Sequence, residues 1–176
     1  NWGRWGEDDQ LGTLNHITDD QVKYAASLIR EGLSVSCANP IATEAVVGNQ
    51  QRNPRPADHR MMVGSDSSGD YIGVAFHGYV NTHIDALCHI FTGDSSAGGR
   101  LYNDRDPSLV TDTGALTNSV DYWKDGIVTR GVLYDIPAMR SQEYVLPDEP
   151  IEGWHLEDWA ESVGIQPRPG DAVLVR

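Results

Sequence analysis

The stretch His77-Gly-Tyr-Val-Asn-Thr-His83-Ile-Asp85-Ala-Leu-Cys-His89 sets three histidines and a carboxylate within thirteen residues. Imidazole nitrogen and carboxylate oxygen are donors that zinc, manganese and iron accept. In His83-x-Asp85 both head groups leave the same face of an extended chain, so the pair can approach one ion together. An Asp inside a strand is unfavourable unless something partners it, and a cation is the obvious partner. His89 follows a bend expected at 86–88, where it can stand beside the metal as a general base. Its ordinary pKa of about 6.5 suits proton transfer near neutrality, and a bound metal lowers the pKa of water toward about 7. His77 shares the face of His83 and reads equally as a partly buried, hydrogen-bonded histidine. Cys88 reads as a small buried residue rather than a nucleophile. His16, His59 and His155 stand in polar or loop surroundings as surface residues, and Trp123, Trp154 and Trp159 as core or interface aromatics.

The elements that must position this chemistry follow from periodicity and punctuation. Residues 71–85 alternate as a strand, with 77, 79, 81, 83 and 85 on one face. The preceding polar segment, 48–70, reads as a long loop that shapes the site or covers it. Residues 1–17 form an ordered arm carrying Trp2, Trp5 and three glycines. Thr18 with Gln21 makes a capping box that opens an amphipathic helix over about 19–31, stopped by Gly32. Residues 33–38 alternate as a strand limited by Pro40, and 93–99 and 104–107 are loop-like. A buried strand is expected over 127–136, a short helix over 156–163 and a last strand over 172–175. Irregular alternation of strands and helices, without an internal repeat, places the chain in the mixed α/β class.

The chain has 176 residues, 39% of them hydrophobic, enough to bury a core and organise 1–176 as a single domain. Asp and Glu number 26 against 13 Lys and Arg, a net charge of -13, which disfavours a nucleic-acid partner and leaves small molecules and proteins. The acidic residues are scattered, as solubility requires. Cys37 and Cys88 do not make a disulfide framework, which favours a reducing, cytoplasmic setting. No apolar run is long enough for a membrane span. The chain ends within a strand-like apolar run, so the C-terminal part of the fold is expected to be lacking. The arm's tryptophans are expected to pack on a neighbouring subunit, making a homo-oligomer, a dimer or tetramer.

Thr82-His83-Ile84-Asp85-Ala86-Leu87-Cys88-His89 resembles the second half of the signature His-x-Gly-Thr-His-x-Asp-x-Pro-x-His of the cyclase family, which includes bacterial kynurenine formamidases and isatin hydrolases. Thr82, His83, Asp85 and His89 match; Tyr79, Asn81 and Leu87 stand where the signature has His, Gly and Pro. The segments 4–15, 130–135 and 169–176 are similar to the longer, actinobacterial-type members. The resemblance implies a swivelling β/β/α-type fold with a mixed sheet and a hydrolase, dependent on zinc or manganese, that opens an amide, lactam or formamide bond. It makes His83 and Asp85 metal ligands and His89 the acid and base. Tyr79 replaces the family's first ligand; His77 ranks first as the third ligand, ahead of the Asn81 amide oxygen, because imidazole suits these ions better.

Two other functions fit the same residues. His83-x-Asp85 with a distant histidine is also the facial triad of non-haem iron oxygenases, with His155 as third ligand and Arg168 to hold a keto acid. A non-catalytic member of the same fold that binds a ligand or partner is the other.

Overall fold

The computed structural model describes residues 2–43, 56–78, 80–93 and 98–176. The chain falls into two compact units, one built from 1–32 and 86–176 and the other from 33–85.

In the first unit, α1 (Asp19–Ser27) starts as the sequence predicts. Thr18 Oγ1 accepts the Gln21 amide at 3.4 Å, and Asp19 and Asp20 lie in the positively polarised first turn. The helix stops four residues before the expected 31. The Leu28 amide bonds to Ala25 O and the Ile29 amide to Ala26 O, so the ladder tightens to i−3, and both side chains are left exposed. Two two-residue strands, β3 (Val110–Thr111) and β4 (Gly114–Ala115), make a small antiparallel ladder. The expected strand over 127–136 shortens to β5 (Gly131–Tyr134), which pairs in parallel with β6 (Ala172–Val175), Gly131 opposite Ala172 and Tyr134 opposite Val175.

Parallel pairing needs a crossover, and α2 (Ile136–Met139) and α3 (Gly153–Val163) supply it. Strand β5 alternates, turning Val132 and Tyr134 inward. With Ile136 they form a core against which Met139, Val145, Leu156, Trp159, Ala160 and Ile165 pack. Trp159 is thus a core aromatic, and its indole N–H donates to Leu133 O at 2.8 Å.

His155 departs from expectation. It is buried, 7% exposed, because it is the third residue of α3 and completes that helix's capping box. Its Nδ1 accepts the Glu152 amide at 2.8 Å and its Nε2 lies 2.8 Å from Arg140 Nη2. Helix α3 ends at Gly164 in the left-handed conformation, φ 70°, with the Ile165 amide reaching back to Ala160 O.

The start of the β5–β6 pair is clamped by charge. Arg130 Nε meets Asp171 Oδ1 at 2.9 Å and Nη2 meets Oδ2 at 2.5 Å, a bidentate pair whose side chains are 17% and 3% exposed. The Arg130 guanidinium holds the Asp171 carboxyl below the usual carboxylate range, and the Arg168 amide, donating at 2.7 Å, adds to it. Next to it Gly170, at φ 89°, passes so near the first helical turn that a Cβ would lie 2.6 Å from His16 O.

In the second unit, β1 (Asp58–Val63) and β2 (Ser68–Gly73) form an antiparallel hairpin, Asp58 opposite Gly73 and Val63 opposite Ser68. The long loop expected over 48–70 is therefore corrected from 58 onward; residues 48–55 lie outside the described residues. Both faces of this ribbon are largely exposed, Met61, Met62, Val63, Tyr71 and Ile72 included, and His59 Nε2 lies 2.8 Å from Asp70 Oδ1 across the strands. The strand expected over 71–85 ends at 73. Gly78 adopts φ 121°, outside the strand region, and 74–85 runs without a ladder partner among the described residues. Among the described residues the strand expected over 33–38 also finds no ladder partner, and Leu33 and Val35 are exposed. Among the described residues no helix is long and apolar enough to cross a membrane.

Candidate metal centre

Without a strand to align them, the candidate ligands of the second unit converge through an irregular turn. His77 Nδ1 lies 2.9 Å from Asp85 Oδ1, and His83 Nε2 lies 3.5 Å from the same oxygen. The two imidazole rings meet edge to face with centroids 5.3 Å apart. Phe76 lies beside both, 4.6 Å from the His77 ring and 5.9 Å from the His83 ring, an apolar wall on one side of the polar atoms.

The orientation of His83 is fixed from behind. Its Nδ1 lies 2.8 Å from Asn81 O, and since a carbonyl can only accept, Nδ1 carries the proton. In the neutral ring, the form that binds a metal, the lone pair then sits on Nε2, the nitrogen turned toward Asp85. A backbone carbonyl holding the far N–H is the usual support of a metal-binding imidazole, because it fixes the tautomer and raises the basicity of the free nitrogen. His83 is 17% exposed, whereas His77 and Asp85 are about half exposed.

Asn81 and Thr82 brace this turn. Asn81 is buried and its Oδ1, the amide oxygen offered by the sequence as an alternative ligand, accepts the Ala42 amide at 3.4 Å. Thr82 Oγ1 accepts the Asn39 amide at 3.0 Å. Tyr79, which stands at the signature's first histidine, lies outside the described residues.

His89 belongs to the first unit, four residues along the chain from Asp85. It closes a 3-10 turn, Leu87–His89, in which its amide bonds to Ala86 O at 3.0 Å. Within the second unit, His77, His83 and Asp85 bring two imidazoles and a carboxylate together. Nitrogen and carboxylate-oxygen donors of this kind suit zinc and manganese alike.

Sequence reasoning missed the residues that hold the His89 turn. Cys88 is buried at its centre, where loss of water pushes the thiol pKa up, and its amide donates to Asn118 O at 3.1 Å. Asn118 is fully buried. Its amide donates to Gln10 Oε1 at 2.7 Å, its Nδ2 donates to Tyr102 O at 3.1 Å, and its Oδ1 accepts from Arg105 at 3.3 Å. Gln10 Oε1 also accepts the Thr117 hydroxyl at 2.9 Å, while Gln10 Nε2 lies 2.6 Å from Tyr122 Oη.

The neighbouring Asp9 accepts from the Tyr102 hydroxyl at 2.8 Å, the Gly12 amide at 2.9 Å and the Asn15 side chain at 2.6 Å. Burial pushes this carboxyl up, yet the hydrogen bonds from Asn15, Tyr102, Gly12 and Leu11 together leave it below the usual range. Burial and the Asp9 partner push the Tyr102 phenol up to about 12. The arm is thus an ordered, hydrogen-bonded segment, as expected, with a 3-10 turn at Gly12–His16. Its pairing with residues about a hundred positions away leaves no local signal.

Cyclase is the family whose model matches this sequence, over residues 33–176. A solved crystal structure of a novel cyclase superimposes with a TM-score of 0.86 at 30% identity, covering all of this chain and 61% of its own. The mixed α/β architecture is thus that of a cyclase, and the chain spans about three fifths of that relative's length. Among curated proteins, none matches.

Proposed function

The chain belongs to the cyclase family, and on that premise we propose that it is a metal-dependent hydrolase opening the amide, lactam or formamide C–N bond of a small substrate, aromatic ones included. The observation that carries the reading is the imidazole of His83, its proton pinned to Asn81 O and its free nitrogen facing Asp85 Oδ1. That is a ligand pair already set in the tautomer an ion needs.

His83 and Asp85 would hold zinc or manganese, with His77 as third ligand. When bound, such an ion polarises a carbonyl oxygen and lowers the pKa of a bound water toward about 7. His89 takes the proton of the attacking water as the new C–O bond forms. The same imidazole then returns that proton to the nitrogen as the C–N bond breaks, so no proton is lost or gained over the cycle. Phe76 supplies an apolar side to the site and strengthens the charge interactions beside it.

At His89 the test must separate acid and base from ligand, since an imidazole serves as either. The experiment is metal analysis of the purified protein, then a screen of cyclic amides and formyl-anilides with and without chelator. Chelator-sensitive hydrolysis is expected. In His89→Ala, lost turnover with retained metal makes His89 the acid and base, and lost metal makes it a ligand. Full activity in His89→Ala would remove it from the site altogether.

A further inference from the structure

A buried polar bridge that the chemistry proposed above does not use ends on the turn carrying His89. Cys88 sits one residue before His89, and its amide donates to Asn118 O. Asn118 reaches that position with φ 55°, a left-handed conformation that Asn adopts more readily than other side-chain-bearing residues. It is fully buried, and four of its polar groups are satisfied, by Cys88, Gln10, Arg105 and Tyr102. A wholly satisfied buried amide fixes the segments it joins in one mutual geometry, and here those segments are the arm, the Tyr102 turn and the Cys88 turn.

The bridge is anchored by one side chain of the arm. Gln10 Oε1 receives two donors at once, the Asn118 amide at 2.7 Å and the Thr117 hydroxyl at 2.9 Å. The arm meets the same turn a second time at Gly12, where a Cβ would stand 3.4 Å from Leu87 Cδ1. Leu87 and Cys88 are therefore both seated against groups that the arm places or braces.

We propose that Gln10, acting through Asn118, is a positioning residue that sets the Leu87–His89 turn and hence the place of the His89 imidazole; the catalytic half of this inference rests on the role assigned to His89 above. Gln10 touches neither substrate nor metal. Its carboxamide oxygen fixes the Asn118 amide, the Asn118 carbonyl fixes the Cys88 amide, and His89 follows by one covalent link.

The test compares Gln10→Leu, which removes the acceptor, with Gln10→Glu, which keeps an oxygen for both donors. Amide hydrogen exchange at Cys88 reads the bridge directly, and kcat and KM on an amide hydrolysed by the wild type read its consequence. Gln10→Leu is expected to speed Cys88 exchange at least about tenfold. It should lower kcat about 10- to 100-fold, the scale of a misplacement near 1 Å, with KM and metal content unchanged. Gln10→Glu is expected to restore both. If Gln10→Leu does not fold, Gln10→Ala carries the same expectations. Unchanged Cys88 exchange overturns the inference whatever the activity, and so does faster exchange with kcat intact. A wild type that hydrolyses no amide defeats the hydrolase reading alone, and the exchange at Cys88 then decides the bridge.

Discussion

Asp171→Ala tests how the first unit is held together at the root of its parallel strands. The substitution removes both oxygens that meet Arg130 and the acceptor of the Arg168 amide, at a site where the Asp171 side chain is 3% exposed. Arg130 is left as a cation at 17% exposure with the Gln166 carbonyl, at 2.7 Å, and the Tyr24 side chain beside it. Breaking one partner of a buried pair costs about 3–5 kcal/mol. The retained carbonyl and the residual water contact place this one near the lower end, about 3 kcal/mol. For a chain of this size that corresponds to a melting temperature lower by roughly 6–12 °C. Urea unfolding of Asp171→Ala, Arg130→Ala and the double variant measures it, and the double variant should cost at least about 1 kcal/mol less than the sum of the singles. Because Arg130 depresses the Asp171 pKa in the folded state, the stabilisation is complete above the ordinary carboxylate value of about 3.9. It is lost as pH falls through the folded value, so wild type and Asp171→Ala should converge in stability below about pH 4. Additive single-variant costs, or a gap between the two proteins that persists undiminished into that range, would refute the reasoning.

Three further expectations address other residues. Gly170→Ala puts a Cβ 2.6 Å from His16 O at φ 89° and should destabilise by at least about 2 kcal/mol in a thermal melt; a change below about 0.5 kcal/mol would count against the close approach. His155→Ala should cost about 1 kcal/mol through its α3 cap while leaving bound metal unchanged, whereas loss of metal there would revive the oxygenase ligand set. Cys37 is exposed and Cys88 is buried with a raised thiol pKa, so iodoacetamide with peptide mapping should label Cys37 first, and equal labelling would contradict the seating of the 87–89 turn.

Legibility from sequence followed the range of the interactions involved. The Thr18 cap, the apolar period of α3 and the apolar run of β6 are local signals, and all three elements form close to where they were expected. His83 and Asp85 were readable because ligand types two residues apart need only a chain that brings both head groups to one side. The reason given for their meeting, a strand through 71–85, is wrong: the strand ends at Gly73 and an irregular turn brings the ligands together. The hairpin at 58–73 was hidden because its strands bury almost nothing, leaving no alternation of apolar and polar residues to read. The burial of His155 was hidden because its neighbourhood in sequence is polar, while its role is to cap a helix. The Gln10–Asn118–Cys88 bridge joins residues whose separation in sequence defeats any periodicity.

The central claim is that His83 and Asp85 hold a metal ion on which hydrolysis depends. Metal analysis of the purified protein beside His83→Ala and Asp85→Ala tests it most directly. The account predicts zinc or manganese bound in the wild type and lost in both variants, with loss of chelator-sensitive hydrolysis in step. A wild type free of transition metal, or variants that keep the wild-type content, would contradict it.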